Sequence, residues 1–237
     1  MVGDGPPVVS LELHAHDQAG QEVPLSIWPA RPCKLSPYLK PGDGVLDIGA
    51  NVGQLARDFA ERAGPDGFVL AVEPDMFTAT MCAMLASEVP QIQVLPVAVA
   101  EANGVRVLHL DAENVRRHSL WRGNLTTDSP STRLVPTLTL DDLARRVPKL
   151  AAIKVDTQGA EFAVLGGGQA TLNRHGLTWC VELWPQGLAR AGSSVRQVVD
   201  TFAGFGWHPV DQPWSAVLDL FEARPEATQD VILQRRG

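Results

Sequence analysis

The 237-residue chain contains no apolar run approaching the ~20 residues that a membrane-spanning helix needs. Its first ten residues, Met1 to Ser10, have neither a charged start nor a long apolar stretch, so no signal peptide is visible. Basic runs are missing as well. The net charge is -7, and without a basic stripe a nucleic-acid backbone is not an expected partner. The pairs Arg116–Arg117 and Arg145–Arg146 read as solvated surface. Cysteine is scarce: Cys33, Cys82 and Cys180 are odd in number, widely spaced and match no zinc pattern, which suggests reduced thiols in a cytoplasmic protein. There is no internal repeat. What remains is an ordinary globular composition, 45% hydrophobic and 20% charged, long enough for one domain with a substantial core.

The most informative stretch is Val45 to Gln54, VLDIGANVGQ. Apolar residues around Asp47 predict a short strand, after which Gly49, Asn51 and Gly53 predict a tight turn into an amphipathic helix, Leu55 to Ala63. Strand, glycine turn and helix in that order build a nucleotide cradle at the carboxyl edge of a parallel sheet. The spacing Gly49-x-x-x-Gly53 is not the G-x-G-x-x-G of dinucleotide sites, and no Walker lysine follows. An acid just ahead of the turn repels a pyrophosphate and suits a cationic ligand. S-adenosylmethionine (SAM), with a sulfonium, an ammonium and no phosphate, meets that requirement. A second acid, Glu73, ends the next apolar strand, Phe68 to Val72, where a carboxylate can accept hydrogen bonds from two ribose hydroxyls. The plainer alternative for Asp47 and Glu73 is helix capping.

Along the chain, residues 1 to 10 are rich in Gly, Pro and Asp and read as loose, and Ser10 to Ile27 reads as a hairpin about residues 18–21. Ala79 to Ser87 predicts a helix and Gln93 to Ala100 a third strand, followed by strands Val105 to Leu110 and Val135 to Leu140. Residues 111–134 are the least regular and read as a lid or loop. A helix at Asp141 to Arg146 takes Thr139 as its N-cap. Buried strands are expected at Leu150 to Val155 and Trp179 to Leu183, with helices at Glu161 to Leu172, weakened by Gly166–Gly168, and at Val195 to Phe205. The tail, Trp207 to Leu233, holds the last strands. This alternation is that of a parallel-rich α/β sheet with helices on both faces.

Several segments together, DIGANVG at 47–53, VEPD at 72–75, LTLDDL at 138–143, IKVDTQGAEFAVLGGG at 153–168 and VEL at 181–183, resemble the FkbM family of SAM-dependent methyltransferases. The resemblance covers roughly residues 40 to 185 in the correct order. It implies a Rossmann-like class I methyltransferase sandwich over residues 40–237, with a mostly parallel seven-stranded sheet that ends in an antiparallel strand. Residues 1–39 then form an N-terminal extension with short strands, the β-hairpin among them. It also implies O-methylation of a hydroxyl on a sugar or glycosylated natural product. One position departs from the family pattern K-I-D-V-E-G-A-E: Gln158 stands where an acid is usual, while Asp156 and Glu161 are retained.

For the cofactor, Asp47 is expected to contact the amino-acid part of SAM, Gly49 and Gly53 to allow close backbone approach, and Glu73 to hold the ribose. Asn51 either bonds the ligand or takes a left-handed turn conformation. Asp75 and Met76 come next, an apolar side chain there covering the adenine, and Ala98 is a contact for the adenine edge. For catalysis the candidates are Asp156, at a strand end beside the glycine turn, Glu182, at the end of the next strand, and His118 in the irregular segment, with His109 weaker. Asp156 has a plainer reading as a helix N-cap and Glu182 as a salt-bridge partner of Lys154 or an arginine. The two acids also leave Mg²⁺ binding open as a minority reading, with no clear third ligand. Trp121 and Trp184 are candidates to stack on an acceptor ring. The rival functions are N- or carboxyl-methylation of a small molecule, and a SAM-binding module without turnover. The expected partner is a small-molecule or saccharide acceptor, and a homodimer through the Ser10 to Ile27 hairpin stays open.

Overall fold

Apolar runs become buried strands wherever helices can cover both of their faces, and this rule organises most of the chain. The computed structural model describes residues 13–16, 22–25, 33–87, 89–110, 118–122 and 131–235. The chain forms two compact units, Met1–Arg31 and Pro32–Gly237. In the first, β1 (Leu13–His16) and β2 (Glu22–Leu25) pair antiparallel, Leu13 opposite Leu25 and His16 opposite Glu22, which is the hairpin read from the sequence. The segment read as loose, residues 1–10, lies outside the described residues.

The second unit runs β3 (Gly44–Ile48), α1 (Gln54–Ala63), β4 (Phe68–Val72), α2 (Met76–Leu85), β5 (Ile92–Leu95), β6 (Ala98–Val99), β7 (Gly104–Leu110) and β8 (Ser131–Leu138). It continues α3 (Leu140–Ala144), β9 (Leu150–Val155), α4 (Glu161–Gly166), α5 (Gln169–Leu172), β10 (Thr178–Leu183), α6 (Pro185–Arg190), α7 (Val195–Gly204), β11 (Trp207–Pro209), α8 (Trp214–Ala223) and β12 (Gln229–Arg235). Seven strands form the main sheet in the order β11-β12-β10-β9-β3-β4-β5. All neighbours from β10 to β5 are parallel; β12, last in the chain, runs antiparallel between β10 and β11. The chain leaves β3 toward β4 and β5, then crosses back to place β9 on its other side. That reversal is the switch point at which open α/β sheets form a crevice.

Alternation along the strands divides the core into two layers. Leu46, Ile48, Ile153, Val155, Trp179 and Val181 face a large apolar cluster with Leu143, Val164, Leu172, Val198 and Phe202 from the helices after β8. Val45, Val69, Ala71, Ala152 and Ile232 face the other way, against Ala56, Phe59 and Ala60 of α1. In α1 the buried positions Ala56, Phe59, Ala60 and Ala63 follow the helical repeat, while Arg57 and Glu61 lie outside. The same alternation puts Asp47, Lys154 and Cys180 on the α1 side, directly opposite one another in register across three strands. All three cysteines are buried free thiols.

Three readings need correction. The expected third strand, Gln93 to Ala100, breaks at Pro96, whose missing N–H cannot continue a ladder. β5 stays in the main sheet, whereas β6 joins β7 and β8 in a separate three-stranded sheet. β8 begins at Ser131, four residues before the expected start, while most of the irregular segment, 111–117 and 123–130, lies outside the described residues. The tail holds a helix, α8, as well as strands; its buried residues are only Val217 and Phe221, a stripe too narrow to show as a helical pattern. The glycine run at 166–168 does break its helix, into α4 and α5. No helix among the described residues is long and apolar enough to cross a membrane.

Trp179 anchors the larger layer, its ring edge-on to Phe202 at 5.3 Å and to Trp207 at 5.9 Å. We expect Trp179→Ala to cost about 3–5 kcal/mol in urea unfolding. Leu134→Ala, at a position 76% exposed, is expected to stay within about 0.5 kcal/mol of the parent.

Candidate functional site

The cradle is built by backbone hydrogen bonds at the carboxyl ends of β3, β4 and β9. Gly49 and Ala50 donate to the carbonyl of Val72 at 2.9 and 3.0 Å, and Asp156 donates to that of Ile48 at 3.0 Å. Gly49 has φ 85°, and a Cβ there would lie 1.8 Å from the carbonyl oxygen of Asp156. Gly53, also at φ 85°, would drive a Cβ to 2.6 Å from Cys82 Sγ. These glycines were expected to make room for a ligand. The structure gives them another reason: protein atoms, not a ligand, occupy the space a side chain would need. Asn51 takes the left-handed conformation, φ 51°, with its Oδ1 accepting from the Val52 N–H at 2.9 Å.

Asp47 is 1% exposed, and its Oδ2 is buried without a hydrogen-bond partner. Burial pushes its carboxyl up to about 7, against the pull of Lys154 and with the push of Asp156. Glu73, 6% exposed, accepts from the Asp75 N–H and the Asn51 N–H, each at 3.0 Å, and so ties the glycine turn to the end of β4. Burial pushes it up to about 7 as well, against those two bonds. Behind Gly53 the Cys82 thiol is raised to about 12, by burial first and then by Asp47 and Glu73. The cradle is thus lined by acids whose burial outweighs the positive charge and donors that reach them. A ligand that brings a cation and hydroxyl donors fits this donor set: the orphaned oxygen of Asp47 lacks a donor, and each oxygen of Glu73 keeps a lone pair.

The remaining cofactor candidates divide. Met76 stands 58% exposed at the first turn of α2, free to cover a flat ring. Asp75 is occupied otherwise. Its Oδ2 caps α2 through the N–H and hydroxyl of Thr78, at 3.0 and 2.8 Å, and its Oδ1 takes Arg133 Nη1 of β8 at 2.7 Å. The methyl group of Ala98 is buried with Leu108, Leu110 and Val135 in the core of the separate sheet, because β6 left the main sheet at Pro96. His118 Nδ1 lies 3.9 Å from Asp75 Oδ2, and its neighbour Ser119 pairs with the backbone of His109, at 2.8 and 3.0 Å. The structure therefore brings His118 to the start of α2, not to Asp156.

Asp156 and Glu182 do come together, and an amide joins them. Gln158 Nε2 donates to Asp156 Oδ1 at 2.8 Å and to Glu182 Oε2 at 2.9 Å. Burial works to raise Asp156, but the charge of Lys154 and hydrogen bonds from Glu182, Gln158 and Lys154 outweigh it and hold Asp156 below the usual carboxylate range. Glu182 goes the other way, pushed up to about 9 by burial, by the charge of Asp156 and by the hydrogen bond they share. Asp156 does not cap the next helix, since α4 starts at Glu161, with Ala160 as its N-cap and no side-chain cap. Glu182 makes no ion pair with Lys154. Lys154 Nζ, 2% exposed, instead bonds Asp230 Oδ1 at 2.8 Å and lies 3.6 Å from Asp156 Oδ2. Burial would lower the lysine, but Asp156, Cys180 and Asp230 hold it well above its ordinary value.

The geometry lends no support to the Mg²⁺ reading of Asp156 and Glu182. The point between the two carboxylates is taken by N–H donors, and a donor repels a cation. Among the described residues no group of three His, Cys, Asp or Glu side chains could hold a metal ion. Trp184 is buried, with Gly187 packed so close that a Cβ there would fall 2.2 Å from its ring and with the Arg190 guanidinium 5.7 Å from its centroid.

Sheet order, switch-point cradle and paired acids define a class I, Rossmann-like methyltransferase fold. Two solved structures share it: Aeropyrum pernix fibrillarin in complex with natively bound SAM, at 13% identity and a TM-score of 0.53 over 96% of this chain and 84% of that one, and the Methanococcus jannaschii fibrillarin pre-rRNA processing protein, at 13% identity and 0.50 over 100% and 87%. The model of the methyltransferase FkbM domain matches residues 47–204, and the chain belongs to that family. An FkbM methyltransferase from Methylobacillus flagellatus KT matches at 15% identity and a TM-score of 0.43 over 60% of this chain; the match spans only 33% of that protein's length. No curated protein matches the sequence.

Among the described residues, Lys154 is the cation set against Asp47, Asp156 and Asp230 together. We expect Lys154→Met to destabilise by about 3–5 kcal/mol in urea unfolding, because it strands buried acids. Asp230→Asn, at a side chain 34% exposed, is expected to cost clearly less in the same assay.

Proposed function

We propose that the chain is a SAM-dependent O-methyltransferase acting on a hydroxyl of a sugar or glycosylated natural product. The observation that carries this reading is the Asp156–Gln158–Glu182 cluster, which abuts the cradle through the contact between Gly49 and the Asp156 carbonyl. Asp47 would hold the cofactor's amino-acid part, Glu73 its ribose and Met76 its adenine. When bound, the cofactor supplies a methyl group already activated by its sulfonium. The protein's own task is to present an acceptor oxygen. Asp156, held charged, accepts the hydrogen of an acceptor hydroxyl and can take its proton. Glu182, whose protonated form is favoured, can turn its O–H from Asp156 to a neighbouring oxygen when an acceptor enters. One acceptor and one donor side by side suit a polyhydroxyl ligand, and fixing the oxygen in this way can lower a barrier by ~7–11 kcal/mol. The fibrillarin likeness extends to the fold and not to the acceptor. A net charge of -7 weighs against an RNA backbone as partner here.

The test begins with S-adenosylhomocysteine, which keeps the adenosine and the amino-acid part. Calorimetry should find micromolar binding that Glu73→Ala weakens about 10- to 100-fold through lost ribose hydrogen bonds. Asp156→Ala should leave that binding intact and abolish transfer to any hydroxyl acceptor found in a screen. No binding by the wild type would overturn the cofactor assignment; methylation of amines or carboxylates alone would overturn the O-specificity.

A pH dependence follows from Asp47 and Glu73. Both are raised to about 7 without ligand, so between the ordinary carboxyl range and about 7 the folded chain holds more protons than the unfolded chain. The stability of the ligand-free protein therefore falls as pH rises through that window. A ligand ammonium favours the ionised acid, so affinity for S-adenosylhomocysteine is expected to rise from about pH 5.5 to above 7 and then level off. Asp47→Asn should flatten most of that rise.

A further inference from the structure

The loop after β9 places an amide between two carboxylates, and its backbone is shaped to do so. Gln158 sits at φ 53°, a conformation that few non-glycine residues adopt. Glu161 holds the loop from behind: its Oε1 accepts from the Thr157 N–H and hydroxyl, both at 3.0 Å, and from the Gly159 N–H at 3.2 Å. Glu161 is 1% exposed, so the clamp is shielded from water. The amide is thereby aimed from a fixed loop, and one nitrogen satisfies both acids.

Two carboxylates that converge on one point repel each other unless a cation, a proton or a donor stands between them. An acid at 158, the residue usual in the family pattern, would bring a third carboxylate to the same point. That oxygen-rich arrangement is the kind that hard divalent cations take. The amide of glutamine has nearly the shape of the acid but carries two N–H donors and no charge.

We propose that Gln158 is a positioning residue of the acceptor site, its amide standing where a divalent cation would otherwise join Asp156 and Glu182, so that the pair works without a metal ion. This deepens the O-methyltransferase reading and rests on it for the words "acceptor site". The charge arrangement itself is independent of that reading. Lys154, Asp230, Asp47 and Glu161 are the charged groups that act on the pair or are acted on by it among the described residues, and the lysine supplies the positive charge a cation would add. Substituting Gln158→Glu should then turn the cluster into a cation site, while leaving the cradle for the cofactor untouched.

The probe is Mn²⁺, followed by electron paramagnetic resonance on the full-length protein, wild type beside Gln158→Glu. S-adenosylhomocysteine binding and circular dichroism report on the fold. The wild type is expected to show no saturable Mn²⁺ binding, and Gln158→Glu to bind in the millimolar range or roughly ten-fold tighter, an affinity removed again by adding Glu182→Gln. Equal Mn²⁺ binding by wild type and Gln158→Glu overturns the proposal, and so does a folded Gln158→Glu that gains nothing. Should that variant not fold, carbon-13 resonances of Glu182 in the wild type decide. Its titration near 9 should ignore Mg²⁺ and move to higher pH in Gln158→Ala, where a merely structural glutamine would leave it unchanged. A Mg²⁺-dependent shift, or an unmoved titration in Gln158→Ala, overturns it. If S-adenosylhomocysteine fails to bind while the Mn²⁺ contrast holds, the cofactor reading falls and the role of Gln158 stands.

Discussion

A buried ammonium is the constraint on which the polar half of this protein depends. Lys154 lies on the inner face of the central sheet, opposite Asp47 in one neighbouring strand and Cys180 in the other. Taking an ammonium out of water costs several kcal/mol, and only close, well-placed acids offset that. Asp230 at 2.8 Å and Asp156 at 3.6 Å supply them from opposite sides. The arrangement runs in both directions. The acids keep the lysine charged, and the lysine decides which of the acids can be charged. Asp156, which it reaches, stays ionised. Glu73, whose perturbing neighbours do not include it, does not enjoy that help.

This unequal reach divides the carboxyl edge of the sheet into two regions with different chemistry. On the β3–β4 side, burial outweighs the pull of Lys154 on Asp47, and no cation is among the groups that shift Glu73, a deficit that a cationic ligand can fill. On the β9–β10 side, one acid is pushed below its usual range and its neighbour above it, so the pair favours an acceptor and a donor side by side. Environments that drive adjacent carboxyls apart mark groups with different roles. The topology accounts for the closeness of the two regions: β3 and β9 are neighbours in the sheet but far apart in the chain, and the loops after them meet at the switch point.

Much of this was legible in the sequence, and the exceptions have physical causes. Largely apolar runs such as Val45 to Ile48 and Ala152 to Val155, each broken by a single charged residue (Asp47, Lys154), announce strands buried on both faces, and acids within or just after such runs lie near the carboxyl edge of the sheet. Hence the positions of Asp47, Glu73, Asp156 and Glu182 were readable, and so was the break at Gly166–Gly168. Partnerships over long separations were not. Asp230 lies 76 residues from Lys154, and Arg133 lies 58 from Asp75; no spacing rule links them. Ala98 was misplaced because a single proline moved it to another sheet. Gln158 looked like the loss of a carboxylate, since its effect depends on a left-handed backbone that nothing in a glutamine forecasts.

The contact between Gly49 and the Asp156 carbonyl also bears on how such a site can change over evolutionary time. With 1.8 Å between that oxygen and any added Cβ, the cofactor turn and the acid loop are fitted edge to edge, and neither backbone can shift without displacing the other. A change in the path of one loop here would press on the other. Side chains grafted onto that frame can change one residue at a time, and position 158 is where a single nucleotide's worth of difference, acid against amide, changes the electrical character of the pocket while the architecture stays the same.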